Sequence, residues 1–496
     1  MTDLPRDLDQ ARRQIEAHAR QYGLDFYDVV FEMLDYDQLN EVAAFGGFPT
    51  RYPHWRFGME YEELSKSYSY GLSKIYELVI NNNPVYAYLM KSNAPVEQKL
   101  VMAHVFGHAD FFKNNLWFGR TDRRMIDSMA NHATRVRHHV DRHGVEAVED
   151  FIDACLSLEN LIDPHAGFIE RQERRDRRPL AEAPEEEAQA VRRLQSKPYM
   201  EPYINPPAAL ARERRREEER AQKRRTFPES PQRDVLQFLL DHAPLEPWEH
   251  DVLAIVRDEA CYFAPQGMTK VLNEGWASYW HSTIMTRRAL RDSEVVDFAD
   301  QHAGAMSMQP GRFNPYKIGI ELFREIEDRW NKGKFGRDYD DCDDLRARRE
   351  WDRKLGLGRQ KIFEVRKVYN DVMFVDAFLD EEFCERLQLY TYGFDPRSGQ
   401  YVVTDRDWRK VKQRLLFSLT NLGQPIVQVT DANHANRGEL YLQHRFEGVP
   451  LDVDKAKDTL ANLHRLWRRP VHLETADEEH GRLLSFDGAD HKWVRL

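Results

Sequence analysis

Apolar positions in the first forty-odd residues recur at helical spacing. Leu8, Ala11, Ile15 and Ala19 mark one face, and after Gly23 a second set, Phe26, Val29, Val30, Met33 and Leu34, predicts another helix. Gly46-Gly47-Phe48-Pro49 ends this region. The aromatic, turn-rich run from Tyr52 to Gly58 reads as a packed loop. The period then shortens. Residues 74–80 and 85–90 are rich in β-branched and aromatic side chains, and Asn81-Asn82-Asn83-Pro84 between them supplies turn chemistry, so the pair predicts a β-hairpin. A helix is expected to start at Asn93-Ala94-Pro95, where a polar residue precedes an early proline. Two more, at 125–143 and 145–160, are divided by Gly144.

The pattern breaks at residues 170–232. Mixed-charge runs there flank a Pro/Ala/Glu piece and read as a linker or exposed helix; the aromatic 198–206 stretch within it is expected to dock on a folded domain. Apolar character returns at Val235-Leu236 and continues through the Glu274 region to an amphipathic helix at 318–330. Beyond Ile362, residues 372–375, 401–404, 426–429 and 439–442 predict short strands punctuated by Gly399, Gly423 and Gly438, with a helix at 454–465. The expected organisation is therefore a helical region with a hairpin (1–169), the charged segment (170–232), a second helical half of the core (233–355) and an α+β C-terminal domain (356–496).

Composition narrows the function classes. The 496 residues are 41% hydrophobic, enough for a large globular core, while a net charge of −11 argues against nucleic acid as a general partner. No apolar run reaches the length of a membrane span and the N-terminus lacks a signal-peptide core, so no membrane insertion is expected. Cys155, Cys261, Cys342 and Cys384 are too scattered for a metal knuckle and read as free thiols of a reducing, cytoplasmic compartment.

The candidate chemistry sits in two stretches. His104 and His108 are one helical turn apart, so their imidazoles converge beside the helix as two ligands of one metal ion. In the second, Asn273-Glu274-Gly275-Trp276-Ala277, Glu274 offers a third ligand; two histidines and a carboxylate leave one position open, the ligand count of a catalytic zinc site. Position 105, where a hydrolytic zinc helix carries its glutamate base, is valine. The proton carriers that remain are Glu259 and His281, with Asp110 as a further carboxylate that leaves the shared face. Among His132, His138, His139 and His143, interleaved arginines favour a solvated basic face, and only His132 is held in reserve as a ligand. The bland alternative makes His104 and His108 core histidines bonded to backbone carbonyls, with Glu274 a helix-start acid.

At these segments the sequence resembles the SpoVR family, the stage V sporulation protein R relatives. The likeness is carried by His104–Asn115, Met129-Ala130-Asn131-His132-Ala133, Pro202-Tyr203-Ile204-Asn205-Pro206, Leu272–His281 and Asn314–Gly319, and it spans nearly the whole chain. The resemblance implies a role in spore cortex formation or, in other bacteria, in stress response. It also implies association with an AAA+-type serine kinase and a von Willebrand factor A-like protein, which admits a non-catalytic scaffold as the alternative to an enzyme. The expected fold class is α+β, mainly helical, with a zincin-like metallopeptidase-type N-terminal core and a smaller α+β C-terminal domain. The expected cofactor is a divalent metal, zinc by its ligand set, in a zinc-dependent amide-bond hydrolase or transferase.

Overall fold

A computed structural model describes residues 4–69, 77–169, 200, 206, 211–212, 215, 227–476 and 480–496. Residues 74–76 of the expected hairpin and nearly all of the charged segment, including the aromatic 198–206 stretch apart from Met200 and Pro206, lie outside the described residues. In chain order the principal elements are α1 (Arg6–Gln21), β1 (Val29–Leu34), α2 (Tyr36–Ala44), α3 (Trp55–Ser69), β2 (Glu77–Ile80), β3 (Val85–Met90), α4 (Pro95–Asn114), α5 (Met125–His143) and α6 (Val145–Leu156). They continue with α7 (Val235–His242), α8 (Pro247–Met268), α9 (Lys270–Ile284), α10 (Val295–Ala305), α11 (Pro315–Lys332), α12 (Gly358–Val368) and α13 (Asp371–Phe378). The last part holds β4 (Thr391–Asp395), β5 (Gln400–Asp405), α14 (Trp408–Leu419), β6 (Val427–His434), β7 (Glu439–His444), α15 (Val453–Trp467), β8 (Val471–Ala476), β9 (Gly481–Phe486) and β10 (His491–Arg495). The class is α+β and mainly helical, as the pattern predicts.

The chain packs as two compact units, 1–150 with 258–424, and 151–257 with 425–496. The expected boundary at 355/356 falls inside the first unit. There Gly358 N–H donates to Asn331 Oδ1 (2.9 Å), and a Cβ at Gly358 would run into the Glu327 carbonyl, so α12 lies directly on α11.

The first unit is built on three buried helices, α4, α9 and α11, beside a three-stranded sheet of order β1-β3-β2. β2 and β3 form the expected hairpin, antiparallel with Ile80 opposite Tyr86. Residues 29–34, expected to be helical, are instead strand β1, parallel to β3 with Val29 opposite Val85. Phe31 and Met33 alternate into the core, a period of two that the apolar run 26–34 also permits, and pairing with β3 decides it. The opposite correction applies at 372–375, expected as a strand and found in α13. Asn370 Oδ1 accepts Met373 N–H (3.0 Å), an N-cap that starts a helix where a short apolar run alone is ambiguous.

The second unit carries a five-stranded sheet of order β10-β9-β8-β7-β6, antiparallel except for β7 with β8. Its parallel pair is joined through α15, whose Leu460, Leu463 and Leu466 are buried, the usual way to connect parallel neighbours. Among the described residues no helix is long and apolar enough to cross a membrane.

Candidate metal centre

Helix α4 starts where Pro95, with no N–H to leave unpaired, takes the first turn, and Glu97 accepts the Ala94 N–H (2.7 Å). From Val101 to Phe112 every side chain is buried, so α4 is a core helix apolar on most of its circumference, and its two histidines stand out as buried polar groups in need of partners. Gly107, between them, lets α9 come close: a Cβ there would lie 2.7 Å from Ala277 Cα. That approach sets Glu274, one turn before Ala277, against the imidazoles. The start of α9 is held from outside, since the carboxylate of Asp371 accepts both Val271 N–H and Leu272 N–H (2.8 Å each). Its far side is held at Gly275, which meets Gly319 of α11 backbone to backbone.

The three groups converge. Glu274 Oε2 is 3.3 Å from His104 Nε2 and 3.5 Å from His108 Nε2, and one ligand atom from each residue lies within 4.8 Å of the others. Both histidines thus present Nε2, because their other nitrogens are occupied. His108 Nδ1 meets Asn273 Oδ1 at 2.9 Å, and His104 Nδ1 meets His281 Nδ1 at 2.8 Å. His281 passes on to His302 through its Nε2 (3.0 Å), and the Tyr316 ring stacks on His104 with centroids 6.1 Å apart.

Electrostatics follow from this packing. Burial alone would raise the Glu274 pKa, but the adjoining His108 and the contact from His104 outweigh it and hold the carboxyl well below the usual carboxylate range. His281 is pushed well below the usual imidazole value by burial and by His104 and His302 beside it, so it is neutral. Burial raises Asp371 to about 7 against the pull of the Val271 and Leu272 amides, and the charge of Glu274 adds to the rise. A carboxyl whose folded pKa lies above its unfolded value stabilises the fold fully below the unfolded pKa and loses that contribution as pH rises through the folded one. Urea midpoints of the native chain should therefore include a component that declines from about pH 4 to about pH 7, and Asp371→Asn should remove it. An unchanged pH slope in the variant would show that Asp371 does not titrate there.

A family model described as SpoVR like protein matches residues 3–424, and one described as SpoVR-like C-terminal domain matches 425–478. The chain belongs to the SpoVR family. It is 30% identical, over 498 aligned positions covering 95% of this SpoVR chain and 92% of the relative, to the uncharacterized protein YcgB of Escherichia coli. No solved structure matches it.

Other sequence-predicted residues of this SpoVR protein find different partners. Glu259 is buried with both oxygens engaged: Oε2 takes Arg51 Nη2 (2.5 Å) and Oε1 meets His132 Nδ1 (3.2 Å). His132, the histidine held in reserve, thus serves a buried ion cluster, while His138 is exposed. Asp110 leaves the histidine face, as its spacing requires, and becomes the acceptor of Asp25 N–H and Trp276 Nε1–H (2.8 Å each). Asn273, His302 and Asp371 were not singled out by sequence reasoning. Asn273 had a signal, adjacency to Glu274; the other two come from distant segments and had none.

Proposed function

We propose that this SpoVR-family protein holds a divalent ion, zinc by the chemistry of its donors, on His104, His108 and Glu274, and that the centre acts on an amide bond as a hydrolase or transferase. The observation that carries this reading is the pair of Nε2···Oε2 separations, 3.3 and 3.5 Å. A tetrahedral ion about 2.0–2.1 Å from each ligand requires ligand atoms about 3.3–3.4 Å apart. The partners on the far nitrogens, Asn273 and His281, supply the orienting layer that metal-bound imidazoles need. A zinc ion there would polarise a carbonyl and bring the pKa of its water to about 7.

With valine at position 105, the proton must be carried by another group. We assign that role to His281, which is neutral and joined directly to the ligand His104 and to His302, ahead of Glu259, whose carboxylate is ion-paired with Arg51. The strand β3 leading directly into a ligand-bearing helix supports placing the first unit with zincin-type peptidases, by analogy. Family resemblance alone supports a cytoplasmic role in sporulation or stress response and the serine kinase and von Willebrand factor A-like partners. Val105 favours a second reading, a peptidase-like scaffold without catalysis that binds those partners.

Elemental analysis of untagged protein decides the metal. Near-stoichiometric zinc in the native chain, lost in His104→Ala and in Glu274→Gln, is the expected result. Its absence from native protein prepared without chelators overturns the proposal. Loss of cellular function in His281→Ala with metal content retained separates enzyme from scaffold.

A further inference from the structure

The second unit carries a constellation of its own, away from the His/His/Glu centre. Its five-stranded sheet buries Leu440, Leu442, Val471, Leu473 and Leu484 on one face, and alternation sends the residues between them to the other. On that other face the register sets Tyr441 of β7, His472 of β8, Ser485 of β9 and Lys492 of β10 in one row. Ser485 Oγ lies 2.8 Å from His472 Nδ1, and His472 Nε2 lies 2.8 Å from Glu439 Oε2. Arg437, at the turn into β7, fixes that carboxylate by donating to both of its oxygens. Tyr441, on the far side of His472, does not compete for the ring, since its hydroxyl donates to Glu474 Oε2 (2.9 Å). Glu439 is buried, whereas His472 and Ser485 are half-buried, so the carboxylate end is closed and the serine end is open to solvent.

The three groups stand in the order of a nucleophile, a base and an orienting acid. Arg437 above all, with His472, holds the Glu439 carboxyl well below the usual carboxylate range, so Glu439 is ionised and only accepts. The proton of a neutral His472 is therefore on Nε2, and Nδ1 is left to accept the Ser485 O–H. A half-buried serine has water for a partner, so burial does not force this pairing on it. We propose that Ser485 is a nucleophile toward carboxylic esters with good leaving groups, with His472 as its base and Glu439 as the positioning residue. Ser485 Oγ bonds to the acyl carbon while its proton passes to His472 Nδ1, and the ester C–O bond breaks as that proton goes to the leaving oxygen. Water, deprotonated by the same nitrogen, then releases the acid and restores Ser485. The open face excludes little water and its row offers one cation, Lys492, for charge on the acyl oxygen, which suits an activated ester and not a stable amide.

The probes are an alkyl fluorophosphonate, which bonds to a nucleophilic serine with loss of fluoride, and p-nitrophenyl acetate, both used on the full chain. Peptide mapping should place the phosphonyl group on Ser485 of the native chain and not of the chain unfolded in urea. Labelling should slow by about 100-fold or more in His472→Gln, the value of a general base. Glu439 touches no substrate, so Glu439→Gln should lower kcat for p-nitrophenyl acetate by about tenfold or more and leave KM unchanged. Melting temperatures show which variants are folded; if His472→Gln is not, the contrast between native and urea-unfolded chain and the Glu439→Gln kinetics decide. Absence of an adduct on Ser485, labelling as fast in urea, or full labelling of folded His472→Gln overturns the proposal, as does an unchanged kcat in folded Glu439→Gln. Labelling and ester release should both persist after chelation, so this inference and the zinc reading fail separately.

Discussion

Gly275→Ala is expected to destabilise the first unit by about 3 kcal/mol, the upper part of the range for overpacking a core, because the added methyl lands on backbone. A Cβ at Gly275 would fall on the Cα and carbonyl carbon of Gly319, and a Cβ at Gly319 on the carbonyl oxygen of Val271. A side chain in that place could rotate away; two helix backbones cannot without separating α9 from α11. The roughly 1 kcal/mol by which alanine exceeds glycine as a helix former offsets only part of this. Gly58→Ala, with empty space around its Cβ, keeps the propensity gain without the collision and should be neutral or slightly stabilising. Urea midpoints of the two variants against the native chain test the contrast. Equal midpoints would mean that the helices separate freely. Because Glu274 adjoins Gly275, the alanine variant should also lose whatever metal the native chain carries.

Asp110→Ala is expected to cost about 3–5 kcal/mol, the value for removing one partner of a buried ion pair. Asp110 is wholly buried and gathers the Asp25 amide, the Trp276 indole and, at 3.4 Å, the guanidinium of Arg366. Burial raises its pKa to about 6 even with Arg366 beside it, a measure of how strained the charge is in this place. Once it is gone, Arg366 is a buried cation left with only the weaker pull of Asp25. Arg366→Met in the same background should therefore recover part of the loss, and a double-mutant cycle on denaturation free energies measures the coupling. If the two substitutions simply add, the pair is not coupled.

Much of the candidate centre was legible because its signals are local. Residues spaced i and i+4 on a helix share a face whatever surrounds them, so His104 and His108 followed from spacing alone. Glu274 was legible for a weaker reason, as a carboxylate in an unusual Gly/Trp context. What sequence left hidden depends on distant partners. Glu259 sits in an acid-rich helix that offers no hint that Arg51 will claim it across 208 residues of sequence. Strand β1 was read as helix because Phe26–Leu34 fits both periods, and only the parallel partner at 85–90 chooses between them. Asp371 caps α9 from 100 residues away, in place of the local N-cap Thr269, whose hydroxyl donates to the Pro265 carbonyl instead.

The division of the first unit into two separated stretches has a consequence for its biogenesis. Asp110 and Trp276, which tie α4 to α9, are 166 residues apart in the chain. At about 5–20 residues per second, α4 emerges from the ribosome roughly 8–30 s before the helix that covers it. During that interval the face of α4 that meets α9, with its two histidines, has no native partner, and the second unit's first segment is made before the first unit can close. That face of α4 is left uncovered for the whole of the interval. The three candidate ligands, His104, His108 and Glu274, come together only after more than half of the chain has been synthesised.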